Sequence, residues 1–290
     1  MKRLCFLLGA VAVVFNAVAA RAEPLPAGPG RFEWANPGEA ITVFTYKPAA
    51  YRDGPLLVVC HGVARNAEDY RNYAIAMAER FGALVIVPLL DKERFPLLRY
   101  QRGGLVDAAG QVQPAERWTY ALMPKLVALV RSREGKPALP YYLIGHSAGG
   151  QFLARLAAFL PGEAVRIVAA NPGSHLFPNR EQEFGYGFGG LPAELSDDDV
   201  LRRYLAAPLT LYLGTGDVTP EHSFDQSPAG MKQGPNRLVR GRTCFAEAER
   251  LARARGWPFN WRKVETPGIA HDGARMFAAP EVAEALFGKR

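Results

Sequence analysis

Cysteine is scarce in this chain, with three in 290 residues, and Cys5 falls in an N-terminal segment expected to be removed. The remaining pair, Cys60 and Cys244, cannot build a dense disulfide framework, so stability has to come from an apolar core. Cys60 closes an apolar run and Cys244 sits in a helical pattern, and two buried free thiols are expected rather than a bridge. Histidine is almost as sparse, at five residues. No His-Glu-x-x-His occurs, and the adjacent Cys60 and His61 would point to opposite faces of a strand, so no metal site is expected. Gly-x-x-x-x-Gly-Lys-Ser/Thr is absent, and Gly185-x-Gly187-x-x-Gly190 neither follows a strand nor opens a helix. No phosphate cradle and no cofactor are indicated.

Beyond residue 22 no apolar stretch approaches the roughly 20 residues that span a bilayer. The first 22 differ: Lys2 and Arg3 precede apolar residues 4–14, and Ala20-Arg21-Ala22 offers small residues around a cleavage point. That is the pattern of a signal peptide cut after Ala22, and it predicts a periplasmic or secreted chain of residues 23–290 with no stable membrane insertion. The formal charge of +7 includes Lys2, Arg3 and Arg21, so the mature chain keeps 32 basic and 28 acidic residues, a net +4. This is too mild an excess to indicate a nucleic-acid partner, and the local grouping of Arg237, Arg240 and Arg242 reads as a solvated face. The length suits one domain with a substantial core.

Short apolar runs at 56–60, 84–89, 141–144, 166–169 and 209–213 alternate with longer helical patterns. Such alternation predicts an α/β fold: a mostly parallel central sheet with helices on both faces. Residues 32–34 and 41–46 flank the turn signal Asn36-Pro37-Gly38 and predict an antiparallel hairpin at the N-terminal edge, and a last strand is expected over 260–265. Helices are expected over 66–80, with Asn66 as N-cap, and over 117–133, 148–160 and 243–255. Pro124 should kink or split the second. Segments 173–195 and 218–242 are long for simple connections and are expected to shape a site as lid or pocket loops. In the first of these, Phe184 and Tyr186 are candidate substrate-pocket residues, the alternative being an aromatic loop that packs on the domain.

The most informative stretch is Tyr141 to Gly150, where a strand signal breaks into Gly145-His146-Ser147-Ala148-Gly149. Gly-x-Ser-x-Gly at a strand-to-helix turn reads as a nucleophile elbow, the glycines leaving room where side chains would strike the adjoining strand or helix. A serine hydroxyl needs a histidine to take its proton and a carboxylate to orient that histidine. Leu211 to Asp217 puts a carboxylate just past a buried strand, and Pro267 to His271 puts a histidine just past the last one. Asp197, Asp198, Asp199, Asp225 and Asp272 are other acids to weigh, and His146, His175 and His222 other bases; Asp217 and His271 fit best by order and position.

In that order, Ser147, Asp217 and His271, with each residue at a strand's carboxyl end, the chain resembles the α/β-hydrolase superfamily. Cys60-His61-Gly62-Val63 with Asn66 looks like the secreted esterases that include polyhydroxyalkanoate depolymerases and feruloyl esterases. The resemblance implies a catalytic triad of Ser147, His271 and Asp217. It also implies an oxyanion hole formed by the Val63 and Ala148 amides, with His61 positioning the loop that carries Val63. The expectation is an exported serine esterase acting on small-molecule or polymeric esters through an acyl-enzyme. Peptide hydrolysis or acyl transfer on the same machinery is the alternative chemistry, and a non-catalytic binding protein of this fold the alternative class.

Overall fold

A computed structural model describes residues 23–36, 38–160, 162–220 and 223–289. The expected signal peptide, His222 and the central Pro37 of the expected hairpin turn lie outside the described residues. Eight strands form one sheet: β1 Gly28–Asn36, β2 Glu39–Lys47, β3 Leu56–Cys60, β4 Leu84–Pro88, β5 Tyr141–His146, β6 Arg166–Ala170, β7 Leu209–Gly214 and β8 Arg262–Thr266. Their order is β1-β2-β4-β3-β5-β6-β7-β8. β1 pairs antiparallel with β2, and β2 antiparallel with β4, while every pairing from β4 to β8 is parallel. This is the expected α/β-hydrolase arrangement, a mostly parallel sheet with an antiparallel N-terminal edge.

The helices are α1 Ala67–Tyr73, α2 Ile75–Phe81, α3 Leu122–Glu134, α4 Ala148–Phe159, α5 Asp198–Ala206, α6 Pro228–Met231, α7 Arg237–Arg255, α8 Gly273–Ala278 and α9 Val282–Phe287. They cover both faces because successive side chains of a strand point to opposite sides. Leu56, Val58 and Cys60 of β3 join one apolar cluster with residues of α3, α4, α5 and α7. Leu57 and Val59 join another, with residues of α1, α2, α8 and α9. The continuous apolar runs of β3 and β4 are thus fully buried central strands. Cys60 and Cys244 are buried and unbridged.

Among the helices and long loops, three expectations change. The helix expected over 66–80 is two helices, α1 and α2, meeting at Ala74, and Asn66 makes no side-chain cap bond. The helix expected over 117–133 is split ahead of Pro124: 3-10 turns at Ala115–Arg117 and Thr119–Ala121 precede α3, which begins at Leu122 and so places Pro124 in its first turn, where a missing amide costs no intrahelical bond. The segment expected as a loop to 242 contains α6 and the first turn of α7, capped by Asn236, whose side chain accepts from Val239 N–H at 2.9 Å. No helix among the described residues is long and apolar enough to cross a membrane.

Candidate active site

Register brings the site together. Across the parallel strands Cys60 pairs with Gly145, His146 with Ala170, Ala170 with Tyr212 and Gly214 with Thr266, so the strand ends followed by Val63, Ser147, Asp217 and His271 share one edge of the sheet.

Ser147 sits at φ 57°, ψ −114°, a conformation costly for a residue with a side chain. It is held there by its own N–H to the Ala170 carbonyl at 2.9 Å and by its carbonyl, which accepts from Gln151 N–H at 3.0 Å. The glycines are required by space. A Cβ at Gly145 would come within 2.5 Å of the Gly149 carbonyl carbon, one at Gly149 within 2.2 Å of the Cys60 oxygen, and one at Gly150 within 2.8 Å of the Ala170 oxygen. The strand-to-helix turn is possible only with the helix start pressed against β3 and β6.

His271 bridges the other two residues. Its Nδ1 lies 2.8 Å from Asp217 Oδ2 and its Nε2 lies 3.0 Å from Ser147 Oγ. A carboxylate only accepts, so Nδ1 carries the proton and Nε2 is left to accept from the serine hydroxyl. The loops carrying Asp217 and His271 are tied together: Gly216 N–H donates to Ile269 carbonyl at 2.9 Å, and Gly268 N–H to Thr215 Oγ at 2.8 Å. The buried Asn171 side chain accepts from Gly214 N–H at 2.7 Å and donates to the Ala270 carbonyl at 3.2 Å.

The other acids are held in helix caps, ion pairs or hydrogen bonds, and the other described histidines are buried. The carboxylates of Asp197 and Asp272 cap α5 and α8, Asp198 pairs with Arg180 and Arg255, Asp199 pairs with Arg202, and Asp225 accepts from Tyr186 Oη at 2.6 Å. His146 is buried with its ring centroid 4.6 Å from that of His271 and its Nδ1 2.9 Å from Tyr70 Oη. Burial, then the neighbouring His271 and Arg237, hold its imidazole well below the usual range. His175 is fully enclosed, and burial holds it down to about 3.

His61 is also a neutral structural group, held down to about 4 chiefly by burial. Its Nε2 accepts from Leu90 N–H at 3.0 Å, so its Nδ1–H donates to the Gly62 carbonyl at 3.0 Å. Tyr100 Oη donates to the His61 carbonyl at 2.6 Å. The turn that presents Val63 is therefore clamped from two sides. The Val63 and Ala148 amides donate to no group among the described residues; Ala148 opens the first turn of α4, and Val63 lines an open cleft beside Ser147. That cleft, of about 340 Å³, is lined by Gly62, Val63, Asn66, Tyr70, Tyr73, Ser147, Ser223 and His271, among others.

Two expectations about the surroundings are corrected. Phe184 and Tyr186 are not among the cleft's lining residues. Phe184 packs edge-on against Phe159 in the core, and Tyr186 is spent on Asp225. Segment 173–195 folds on itself through Phe177 N–H to Tyr186 carbonyl and Phe188 N–H to Asn179 carbonyl, both 2.7 Å. The buried Arg155 guanidinium fastens it by donating to Ser174 Oγ and the Gly185 carbonyl. The aromatic residues supply packing, and the glycines of the Gly-x-Gly-x-x-Gly run permit this tight loop. Second, Arg237 and Arg240 are not on a solvated face. They are buried on the inward stripe of α7 with Gly241, Cys244 and Ala248, and only Arg242 reaches out, to Glu265. Arg237 Nη1 lies 3.3 Å from Asp217 Oδ1. This contact and the lining residues Tyr70, Tyr73 and Ser223 carried no local sequence signal.

No protein-family model and no curated protein sequence matches the chain. Solved structures do match. Over 91% of its length the chain superposes on a poly(3-hydroxybutyrate) depolymerase from Bordetella parapertussis, covering 92% of it, with a TM-score of 0.83 and 36% identity. Over 87% it superposes on poly(aspartic acid) hydrolase-1 from Sphingomonas sp. KT-1, covering 96% of it, with a TM-score of 0.81 and 33% identity. A Pyrobaculum calidifontis esterase, 16% identical over 90% of the chain and 85% of its own, shares the fold with a TM-score of 0.52. Sheet topology and these two close structural relatives lead to one assignment: the chain belongs to the α/β-hydrolase superfamily of serine esterases, in the family that includes the Bordetella depolymerase.

Proposed function

We propose that the protein is an exported serine esterase that cleaves chains of short hydroxyacid esters through an acyl-enzyme. The observation that carries this reading is the pair of hydrogen bonds running from Ser147 through His271 to Asp217. Ser147 Oγ attacks the ester carbonyl as its proton passes to His271 Nε2, and Asp217 holds the Nδ1–H tautomer and the imidazolium that forms. The oxyanion is received by the Val63 and Ala148 amides, each such donor contributing about 10²- to 10³-fold in rate. Collapse of the intermediate breaks the bond to the alcohol oxygen, which takes the proton from His271. Water then attacks the acyl-serine by the same route in reverse and releases the acid.

The substrate class is supported by the name of the Bordetella relative and by the character of the cleft. It opens to solvent, and apart from the histidines the one ionisable acid or base of ordinary charge among its described lining residues is Asp272. A neutral polyester segment suits that surface better than a polyanion. Amide hydrolysis is the second reading, favoured by the 33% identity to the poly(aspartic acid) hydrolase, but the cleft offers no Lys or Arg among its described residues to meet carboxylates.

Product analysis separates the two. The protein without residues 1–22 is incubated with 3-hydroxybutyrate oligomers and with poly(aspartate), beside its Ser147→Ala variant, and the products are resolved by mass. Hydroxyacid release that vanishes in the variant is expected. Aspartate fragments with intact esters would overturn the ester reading. Exported protein should begin at Glu23, and Met1 retained on it would contradict the signal peptide.

A further inference from the structure

We propose that Arg237 is a positioning residue of this site: its buried cation fixes the oxygen of Asp217 that His271 does not use, and so holds the carboxylate in the orientation that keeps His271 aligned with Ser147. The proposal rests on the esterase reading above. Asp217 divides its carboxylate, Oδ2 toward His271 Nδ1 at 2.8 Å and Oδ1 toward Arg237 Nη1 at 3.3 Å. Both side chains of the Asp217–Arg237 pair are enclosed, 1% and 2% exposed, so neither charge can turn to water instead.

The helix start that carries Arg237 is built onto Asp217. Asn236 caps α7, making Arg237 its first residue, and the next amide, Leu238 N–H, donates to the Asp217 carbonyl at 3.3 Å. The guanidinium is held on its far side by Ser223 Oγ at 3.3 Å and by the Phe224 ring, whose centroid is 5.3 Å away. Arg237 is thereby a rigid stop for a carboxylate that would otherwise rotate about Cβ–Cγ.

The charge matters as much as the geometry. His271 is faced by Asp217 from the loop after β7, by Ser147 and His146 from the elbow, and by Asp272 at the start of α8, with Tyr70 of α1 behind His146. Among these, Asp217 is the carboxylate that orients the imidazole, and Arg237 is the cation, among the described residues, that shares that carboxylate. Without Arg237 the buried carboxylate loses its second partner and is free to turn from His271 Nδ1.

The test is steady-state hydrolysis of a soluble aryl ester by Arg237→Met and Arg237→Lys, with kcat and KM separated. Arg237→Met should lower kcat about 10- to 100-fold with little change in KM, as expected of a misplaced catalytic group. Arg237→Lys, which keeps the charge, should recover most of that kcat. In an Asp217→Asn background Arg237→Met should cost almost nothing further, because there is no carboxylate left to hold. A folded Arg237→Met protein with unchanged kcat, or a loss that simply adds to that of Asp217→Asn, would overturn the proposal. If Arg237→Met does not fold, Arg237→Gln, which keeps a donor but no charge, must lower kcat with the same coupling to Asp217→Asn. Failure of the esterase reading is seen separately, as turnover that survives Ser147→Ala.

Discussion

Gly149 and the Cys60 carbonyl are in such close approach that a Cβ on Gly149 would stand 2.2 Å from the oxygen and 2.6 Å from the carbon. Backbone is the obstacle, so no side-chain adjustment can relieve it, and the elbow would have to move away from β3. Gly149→Ala should therefore destabilise the fold by more than the about 1–3 kcal/mol typical of overpacking and remove activity with it. Denaturant unfolding checks this; an unchanged midpoint with full turnover would refute the packing argument.

Asp217 sets the tautomer of His271, and an amide in its place can donate to Nδ1, moving the ring proton to Nε2 where it blocks the serine hydroxyl. Asp217→Asn is expected to lower kcat by about 10³- to 10⁴-fold without unfolding the protein. Asp225, which holds Tyr186 and Ser227, is the comparison. Asp225→Asn should change kcat less than about tenfold, and the reverse ranking of the two variants would reassign the acid.

Three histidines titrate against the fold. His61, His146 and His175 are buried, and burial lowers each below its usual range, to about 4 for His61 and about 3 for His175. A lowered folded-state value means that the unfolded chain binds more protons on acidification. The stability these groups contribute is present above about pH 6.5 and is lost as pH falls toward 4, by roughly 1.4 kcal/mol per pH unit for each histidine in the window. Urea titrations from pH 7.5 to 4.5 measure the slope. His175→Leu, outside the catalytic set, should make it shallower by one histidine's share, and an unaltered slope would contradict the assignment.

Segment 173–195 is packing rather than a lid. Phe184→Ala should cost about 3–5 kcal/mol of stability, the usual loss for a buried phenylalanine, while leaving the acyl-length preference of the enzyme unchanged. Arg155→Met removes the donors to Ser174, Gly185 and Gln151 and should make the segment susceptible to limited proteolysis before the rest of the domain. A shift in acyl preference with no loss of stability in Phe184→Ala would restore the pocket-wall reading.

The sheet was legible in the sequence because its central strands are buried on both faces and therefore continuous apolar runs, as in β3 and β4. The sequence signal for β1 covers only 32–34, because an edge strand with alternate residues exposed carries little apolar pattern over Gly28–Asn36. The break at Ala74 between α1 and α2 falls on the best helix former and has no local cue. Ser147, Asp217 and His271 could be singled out because each follows a recognisable strand, so chain order alone narrows their geometry. Arg237 could not, since an arginine at the start of a helix looks the same in sequence whether it faces water or a buried carboxylate. Phe184 and Tyr186 are ambiguous in sequence for a related reason: aromatic residues serve a pocket wall and a packed loop equally well, and the tertiary partners Phe159 and Asp225 separate the two.

In the proposed mechanism Ser147 is acylated by the ester, with His271 and Asp217 making the attack possible. Acid quenching of the protein shortly after mixing with an aryl butyrate, followed by peptide mass mapping, traps that intermediate. A butyryl group is expected on the peptide containing Ser147, absent in Ser147→Ala and strongly reduced in His271→Ala. Undiminished ester turnover by Ser147→Ala, or an acyl group carried on another residue, would contradict it.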